Sequence, residues 1–533
     1  MNNSIFDETV ESTLSNLDRQ NIVKRIWQKD HTVWKPQPTE ITDRLGWLTI
    51  ADSMYEQLSS LKSFAQDITD SDISHIVLLG MGGSSLGAEV LRQTFGVRRG
   101  FPDLIVLDST VPDSIQSVKE SIDPCHTVFV VSSKSGSTTE PLMFYCYFRG
   151  LIESVVGDKK AGEHFIAITD RDTPLAQIAS RDSFRRVFYN PADIGGRYSV
   201  LSYFGLVPAA VAGIDIGALI ERSNRMREAC APHVPIHDNP AAYLGAYMGS
   251  LALTGRDKLT LFTSPSIRSF GLWLEQLIAE STGKEGKGII PVIDEPLFDF
   301  SLYGNDRLFV YLRLQDDDNS ITDKTIAMLK SLAQPVLTVE LQDKYDLGAE
   351  FYRWEFATAV AGAILHINPF DQPDVQQSKY ETEHILSQYS HSHNLPAVNN
   401  TQTPSALLST AKKGDYLAIM AYVRQTPQTD QQLTELRRKV TNRYGITTTL
   451  GYGPRFLHST GQLHKGGPKS GLFLQIVADS EIDIPIPGMP YSFGIIASAQ
   501  ALGDIKALQS AKRMVTQVRL PDGKKTFIQD IIV

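Results

Sequence analysis

Val128-Phe129-Val130-Val131-Ser132-Ser133-Lys134-Ser135-Gly136-Ser137-Thr138-Thr139-Glu140-Pro141 is the stretch on which the fold turns. Its four leading apolar residues, three of them β-branched, predict a short buried parallel strand, and the polar run after them is the turn into a helix starting near Glu140. Backbone N–H groups at such a helix start point outward, and the helix dipole favours negative charge there. Six hydroxyls in eight residues, with Gly136 and Lys134 among them, exceed what a helix cap needs, because capping uses one or two side chains. The turn therefore reads as a site for a compact tetrahedral anion, and a phosphate monoester fits it.

Outward from this turn, strands alternate with helices. Residues 76–79, 104–107 and 165–168 are further strands, and helices are expected after Ser84-Ser85 and from Glu140 onward. That alternation predicts an α/β protein with a doubly wound parallel sheet, whose functional residues belong at the carboxyl ends of its strands. Three such ends are chemically loaded: Gly80-Met81-Gly82-Gly83-Ser84-Ser85-Leu86-Gly87, Asp108-Ser109-Thr110, and the opening turn. The first, with Asp108 closing the next strand, also imitates a dinucleotide-binding fingerprint, but Ser85 stands where that fingerprint has Gly or Ala. Two adjacent hydroxyls suit a sugar or phosphate oxygen as well as a pyrophosphate, and a purely structural tight turn is a third reading.

Gly195-Gly196-Arg197 precedes an apolar helix over 200–212; paired glycines let the backbone approach a ligand, and Arg197 presents a fixed positive fork. A second α/β unit begins near Asn239, with a helix over 241–253, a strand over 259–262, a helix over 269–280, and strands near 289–292 and 308–312. On its middle helix Gln276 and Glu280 are four apart and share a face. Glu280 lies at a helix C-terminus, where the dipole disfavours negative charge and would make a carboxylate a better base. A long helix over 347–367 runs into Asn368-Pro369-Phe370-Asp371-Gln372 and a further segment bearing Lys379. Residues 391–405 read as a linker. Beyond it, strands at 415–423, 446–450 and 471–477, helices at 430–444 and 497–514, and a final strand predict a smaller third α/β unit. The expected organisation is a helical cap over 1–70 with no chemistry of its own, α/β units over 71–235 and 236–390, the linker, and the last unit over 406–533.

At 533 residues, 42% hydrophobic and 21% charged, the chain has the composition of a multi-domain globular protein, and no apolar run approaches a membrane span. The start, Met1-Asn2-Asn3-Ser4-Ile5-Phe6, lacks the basic and apolar regions of a signal peptide, so a cytoplasmic location is expected. Three cysteines with no metal-ligand spacing suit a reducing compartment and argue against zinc or disulfide frameworks. A net charge of −9 without a basic run weighs against nucleic acid and acidic membranes as partners, so an anionic substrate must be drawn by a local field.

Five separated stretches, in order, resemble the glucose-6-phosphate isomerase family of the sugar-isomerase-domain superfamily: 80–87, 132–140, Gly195-Gly196-Arg197-Tyr198-Ser199, Glu280-Ser281-Thr282-Gly283-Lys284, and 368–372 with Lys379 seven positions later. Residues 406–533 resemble the carboxyl end of the isomerase half of transaldolase/isomerase fusions, here standing alone. The resemblance implies two three-layer α/β/α sugar-isomerase domains, a homodimer, a sugar-phosphate substrate and neither cofactor nor metal. It implies that Ser133, Lys134, Ser135 and Thr138 hold the phosphate, with Gly83, Ser84 and Gly196 near the sugar. Glu280 would move a proton between C2 and C1, Arg197 would stabilise a cis-enediolate, Gln276 and Gln372 would bind hydroxyls, and Lys379 would assist ring opening. One departure stands out: where the family usually carries a His in an Asn-Gly-Gln-His context, this chain has Tyr303-Gly304-Asn305-Asp306-Arg307. The segment 452–469 is long and chemically dense for a connector, so it is either a solvated or interface loop or one that folds over the active site and offers His458 or His464 in place of the absent ring-opening histidine, with His366 a further candidate that also reads as structural. A non-catalytic sugar-phosphate sensor and an NAD-linked oxidoreductase are the competing readings.

Overall fold

The computed structural model describes residues 4–398, 402–480, 482–520 and 531; residues 399–401 of the expected linker and most of the last residues of the third unit lie outside the described residues. Three wholly parallel sheets organise the chain. The first holds β1 (His75–Leu79), β2 (Asp103–Leu107), β3 (Thr127–Ser132), β4 (Phe165–Thr169) and β5 (Arg186–Tyr189) in the order β2-β1-β3-β4-β5. The second holds β6 (Lys258–Thr263), β7 (Ile290–Val292), β8 (Arg307–Leu314) and β9 (Val336–Leu341) in the order β7-β6-β8-β9. The third repeats that order with β10 (Tyr416–Tyr422), β11 (Thr447–Tyr452), β12 (Gly471–Ala478) and β13 (Met514–Leu520), as β11-β10-β12-β13.

In each sheet the chain steps to one side of its first strand and then to the other, which leaves a crevice between the first and third strands at their carboxyl ends. In the first sheet the register Leu79↔Val131 sets Gly80 beside Ser132, so the glycine loop and the hydroxyl-rich turn share that crevice. In the second sheet the equivalent crevice is closed from within: Ser264 Oγ donates to Asn319 Oδ1 at 2.5 Å and accepts from the Leu314 N–H at 2.7 Å.

Two strands escape the sequence pattern. β5 and β9 are edge strands with mixed burial, and their apolar runs, Val187-Phe188-Tyr189 and Val336-Leu337, are too short to mark a buried strand. The last helix, expected over 497–514, spans Phe493–Ser510; Ser492 caps it, and Met514 instead opens β13. Pro291 in β7 is tolerated because that strand is an edge.

One core runs from the N-terminal helices Ser4–Arg19 and Ile50–Thr69 through one face of the first sheet to the second, joining Leu14, Ile26 and Trp47 to Val130, Trp273 and Phe351. On the other face of the first sheet, Val77 and Leu79 share a cluster with Phe144 and Phe148 of helix Thr139–Val156, and Phe493, Ile496 and Ala499 of the third unit join it. Ile385 and Leu386 of helix Val375–Ser392 join the same cluster. On its other side the third sheet meets the second, with Tyr416, Phe456 and Leu463 against Ala279, Ile290 and Val292. The third unit is thus wedged against both larger sheets.

Candidate active site

A cavity of about 820 Å³ opens where the first sheet's crevice meets the helix Phe270–Thr282. The helix expected near Glu140 starts at Thr139, and its N-cap Thr138 makes no side-chain cap bond. The first-turn N–H groups are therefore not taken by a cap side chain. Ser133 Oγ and Thr138 Oγ1 lie 2.9 Å apart, which braces the turn, while Ser135 Oγ accepts from Ser137 Oγ at 3.0 Å. Gly136 has φ +64°, and a Cβ there would sit 2.6 Å from Thr173, so the turn can close against its neighbour only at a glycine. Lys134, Ser135, Ser137, Thr138 and Thr139 all line the cavity; Ser133 lies just behind it, buried.

Lys134 is not idle in this arrangement. Its Nζ donates to Asp170 Oδ2 and, at 3.0 Å, to the Ala192 carbonyl. Burial pushes the Asp170 carboxyl up, against the pull of Lys134, and Asp170 Oδ1 has no partner. Asp170 follows β4 at a carboxyl strand end, the place where the fold rule puts functional residues, but as a lone carboxylate it carried no motif. Arg44 and Glu40 also reach the cavity wall, so the N-terminal segment, expected to hold no chemistry, contributes two charged groups.

In the same cavity Arg197 and Glu280 face each other, both buried, with Nε 3.8 Å from Oε2. That is an ion pair without a hydrogen bond. Arg197 Nη2 donates to the Phe370 and Asp371 carbonyls at 2.9 Å each, which fixes the fork and leaves Nη1 buried without a partner. Gln276 Nε2 donates to Glu280 Oε2 at 3.0 Å and to the His458 carbonyl at 2.7 Å, and its Oε1 is likewise unpartnered. Lys284 Nζ donates to the Asp371 carbonyl and Oδ1, both at 2.6 Å; burial, then Arg197, pull its pKa down to about 8. Gly83, Ser84, Gly196, Gln372 and Lys379 complete the lining. Gly83 is held tightly, since a Cβ on it would lie 2.1 Å from the Gly196 carbonyl oxygen.

Of the segment 452–469, Leu457 and His458 line this cavity, and the segment separates its two histidines. His458, at the end of a short 3-10 helix Arg455–His458, lines the cavity with Nε2 2.9 Å from Glu140 Oε1. Gln500 Nε2 donates to the same Glu140 oxygen at 2.6 Å. Burial pushes the Glu140 carboxyl up, but His458 and Lys379 more than offset it, and the group sits below its ordinary value. His464 is a correction: it is buried outside the cavity between the rings of Phe456 and Phe473, and burial with nearby Lys465 and Arg513 holds it neutral far below the usual range. His366 is a second correction, an exposed left-handed cap of helix Leu347–Leu365 outside the lining. The strand end Asp108-Ser109-Thr110 is a third. Arg455 grips both Asp108 oxygens at 2.7 and 2.8 Å, and Thr110 Oγ1 donates to Gln500 at 2.8 Å, so this end docks the third unit. The carboxylate that a dinucleotide ribose would need is thereby occupied. Tyr303 and Arg307 are absent from the lining; Arg307 is buried on Glu295 with bonds of 2.9 and 3.0 Å.

Parallel sheets with their polar groups gathered at one crevice of this kind constitute the sugar-isomerase fold. Residues 49–289 match the family described as phosphoglucose isomerase, and a glucose-6-phosphate isomerase of Staphylococcus saprophyticus is 30% identical over 382 residues, 63% of this chain and 86% of that protein. The chain belongs to the phosphoglucose isomerase family. A glucose-6-phosphate isomerase of Staphylococcus aureus is 29% identical over 384 residues, again 63% and 86% of the two chains. Among solved structures, a glucose-6-phosphate isomerase of Chlamydia trachomatis overlays with a TM-score of 0.59 at 20% identity, covering 72% of this chain and 86% of that one. A hypothetical protein of Thermus thermophilus overlays at 0.60 with 23% identity, covering 71% and 97%; these two likenesses concern the fold.

Proposed function

We propose that the protein interconverts glucose 6-phosphate and fructose 6-phosphate. The observation that carries this reading is the buried Arg197 and Glu280 pair, with Arg197 Nη1 unpartnered, lining the same cavity as the anion turn. A sensor of sugar phosphates needs the turn but neither a buried base nor a cation facing it. In the proposed reaction Lys134, Ser135, Thr138 and the first-turn N–H groups hold the phosphate, with Ser133 bracing the turn. Glu280 takes the C2 proton and returns it at C1, the electron pair of the C2–H bond forming the enediolate; the O2 hydroxyl proton passes by way of solvent to O1 as the C2 carbonyl forms, and Arg197 faces the charge that develops on the oxygens. Gln276 orients the Glu280 carboxylate, while Gln372 and Lys379 meet hydroxyls. A homodimer and a cytoplasmic setting belong to the same proposal, and a light-scattering mass of twice the chain would support the dimer.

A coupled assay over a panel of sugar phosphates tests the reading. Turnover with glucose 6-phosphate and fructose 6-phosphate is expected; no turnover with either, in a folded protein that still binds inorganic phosphate, would leave the sensor as the function.

A further inference from the structure

Resting on that reading, we propose that the third α/β unit supplies, within the same chain, the acid that opens the pyranose ring: His458, positioned by Glu140 and Gln500. At Tyr303–Arg307 this chain has a structural pair, Arg307 on Glu295, away from the cavity. His458 instead stands in the cavity wall, brought there by a loop whose every anchor is specific. Arg455 clamps Asp108 at the end of β2, the His458 carbonyl accepts from Gln276, and the His458 Cβ would be 2.9 Å from a Cβ placed on Gly82, which has φ +56°. The backbone of His458 and the carboxylate of Glu280 thus share one amide, that of Gln276, so the loop and the proposed base are fixed relative to each other.

The side chain is arranged for proton exchange. Nε2 is engaged by Glu140 at 2.9 Å, and Glu140 itself is buried and bonded by Gln500, so the ring cannot swing away without stranding a carboxylate. Nδ1 makes no hydrogen bond among the described residues and is the nitrogen left for the sugar. In the step itself the imidazolium gives its Nδ1 proton to O5 as the C1–O5 bond breaks, its electron pair staying on O5. The O1 hydroxyl proton passes to water as the C1 carbonyl forms. Solvent restores the imidazolium, so nothing is consumed. Lys379, which lines the same cavity, remains available to the opened chain. Glu140 and Gln500 are positioning residues here, since they act through His458.

Ring opening and reclosure exchange the two anomers of glucose 6-phosphate without moving the C2 proton, so the step can be read apart from isomerisation. NMR exchange spectroscopy on the protein is expected to show accelerated anomer exchange in the parent. His458→Asn and His458→Gln should each lower it at least tenfold while still binding inorganic phosphate, and Glu140→Gln should lower it by a smaller factor. The proposal is overturned if the parent does not accelerate anomer exchange or if both His458 variants keep the parent rate. Loss of phosphate binding together with exchange in both variants also overturns it, because His458 would then be structural. Isomerisation by Glu280→Gln at the parent rate would instead refute the proposed base and leave His458 untouched.

Discussion

At the scale of single residues the site is a set of buried polar atoms whose partners come from other segments, and each makes a separable demand. The proposed base, Glu280, is held by Gln276 rather than by a cation at bonding distance, so Glu280→Gln keeps the packing and removes the proton acceptor. Its kcat should fall by about a hundredfold or more with little change in KM, measured by steady-state kinetics. Lys134 already shares its charge with Asp170, so Lys134→Ala removes a charge-assisted donor and leaves Asp170 unpaired beside the phosphate site. KM should rise roughly tenfold or more, and competition by inorganic phosphate should weaken in parallel. Lys284 sets an alkaline limit. With its pKa down at about 8, the ammonium that grips Asp371 beside Arg197 is lost as pH rises through that value, and kcat/KM should fall with it. The group's pKa lies below its unfolded value of 10.5, so the folded state binds fewer protons and this lysine adds stability as pH rises from 8 to 10.5. The alkaline fall is therefore not unfolding driven by Lys284, and Lys284→Gln should flatten that limb in a pH profile. Lys134, Arg197 and Glu280 were legible in the sequence because each sits in a motif of glycines and hydroxyls. Asp170, Arg44 and Gln500 were not, since a lone charged or amide residue gains meaning only from the cavity it reaches, and the partner that gives Gln500 its place is 360 residues away.

At the scale of elements, the site depends on two backbones passing at contact distance. The 3-10 turn Gly82–Ser84 meets the 3-10 turn Gly196–Tyr198 so closely that Gly83→Ala must drive the two apart. Overpacking of this kind costs about 1–3 kcal/mol, a loss readable in urea unfolding, and the displacement of Arg197 should lower kcat/KM by at least tenfold. The parallel strands and the helix at Thr139 were readable because buried strands give continuous apolar runs and the helix start is crowded with hydroxyls. β5, with Arg186 at its head, and β9, at the rim of the second sheet, gave only runs too short for that. The periodicity of the last helix also misled at its end, because Met514 is apolar in either role and only the left-handed Lys512 breaks the helix before it.

At the scale of the whole molecule, the third unit is built into the site. Its attachment to the first sheet rests on the Arg455 fork around Asp108 and on Phe493 and Ile496 against Phe144. Arg455→Ala leaves a buried carboxylate without its cation, a loss of about 3 kcal/mol, and should lower both the unfolding midpoint and turnover. An unchanged midpoint in urea would show that the apolar contact alone holds the unit. The sequence read as three α/β units, yet nothing in it marked Asp108 as a docking point, because its partner is 347 residues distant. That distance has a temporal side. His458 follows Glu140 by 318 residues, so at about 5–20 residues per second a ribosome needs roughly 15–65 s to deliver the second after the first. During that interval the first sheet emerges with its hydroxyl-rich turn, followed by Arg197 and Glu280, so the nascent chain carries the groups proposed to hold a sugar phosphate before it has the histidine proposed to open one.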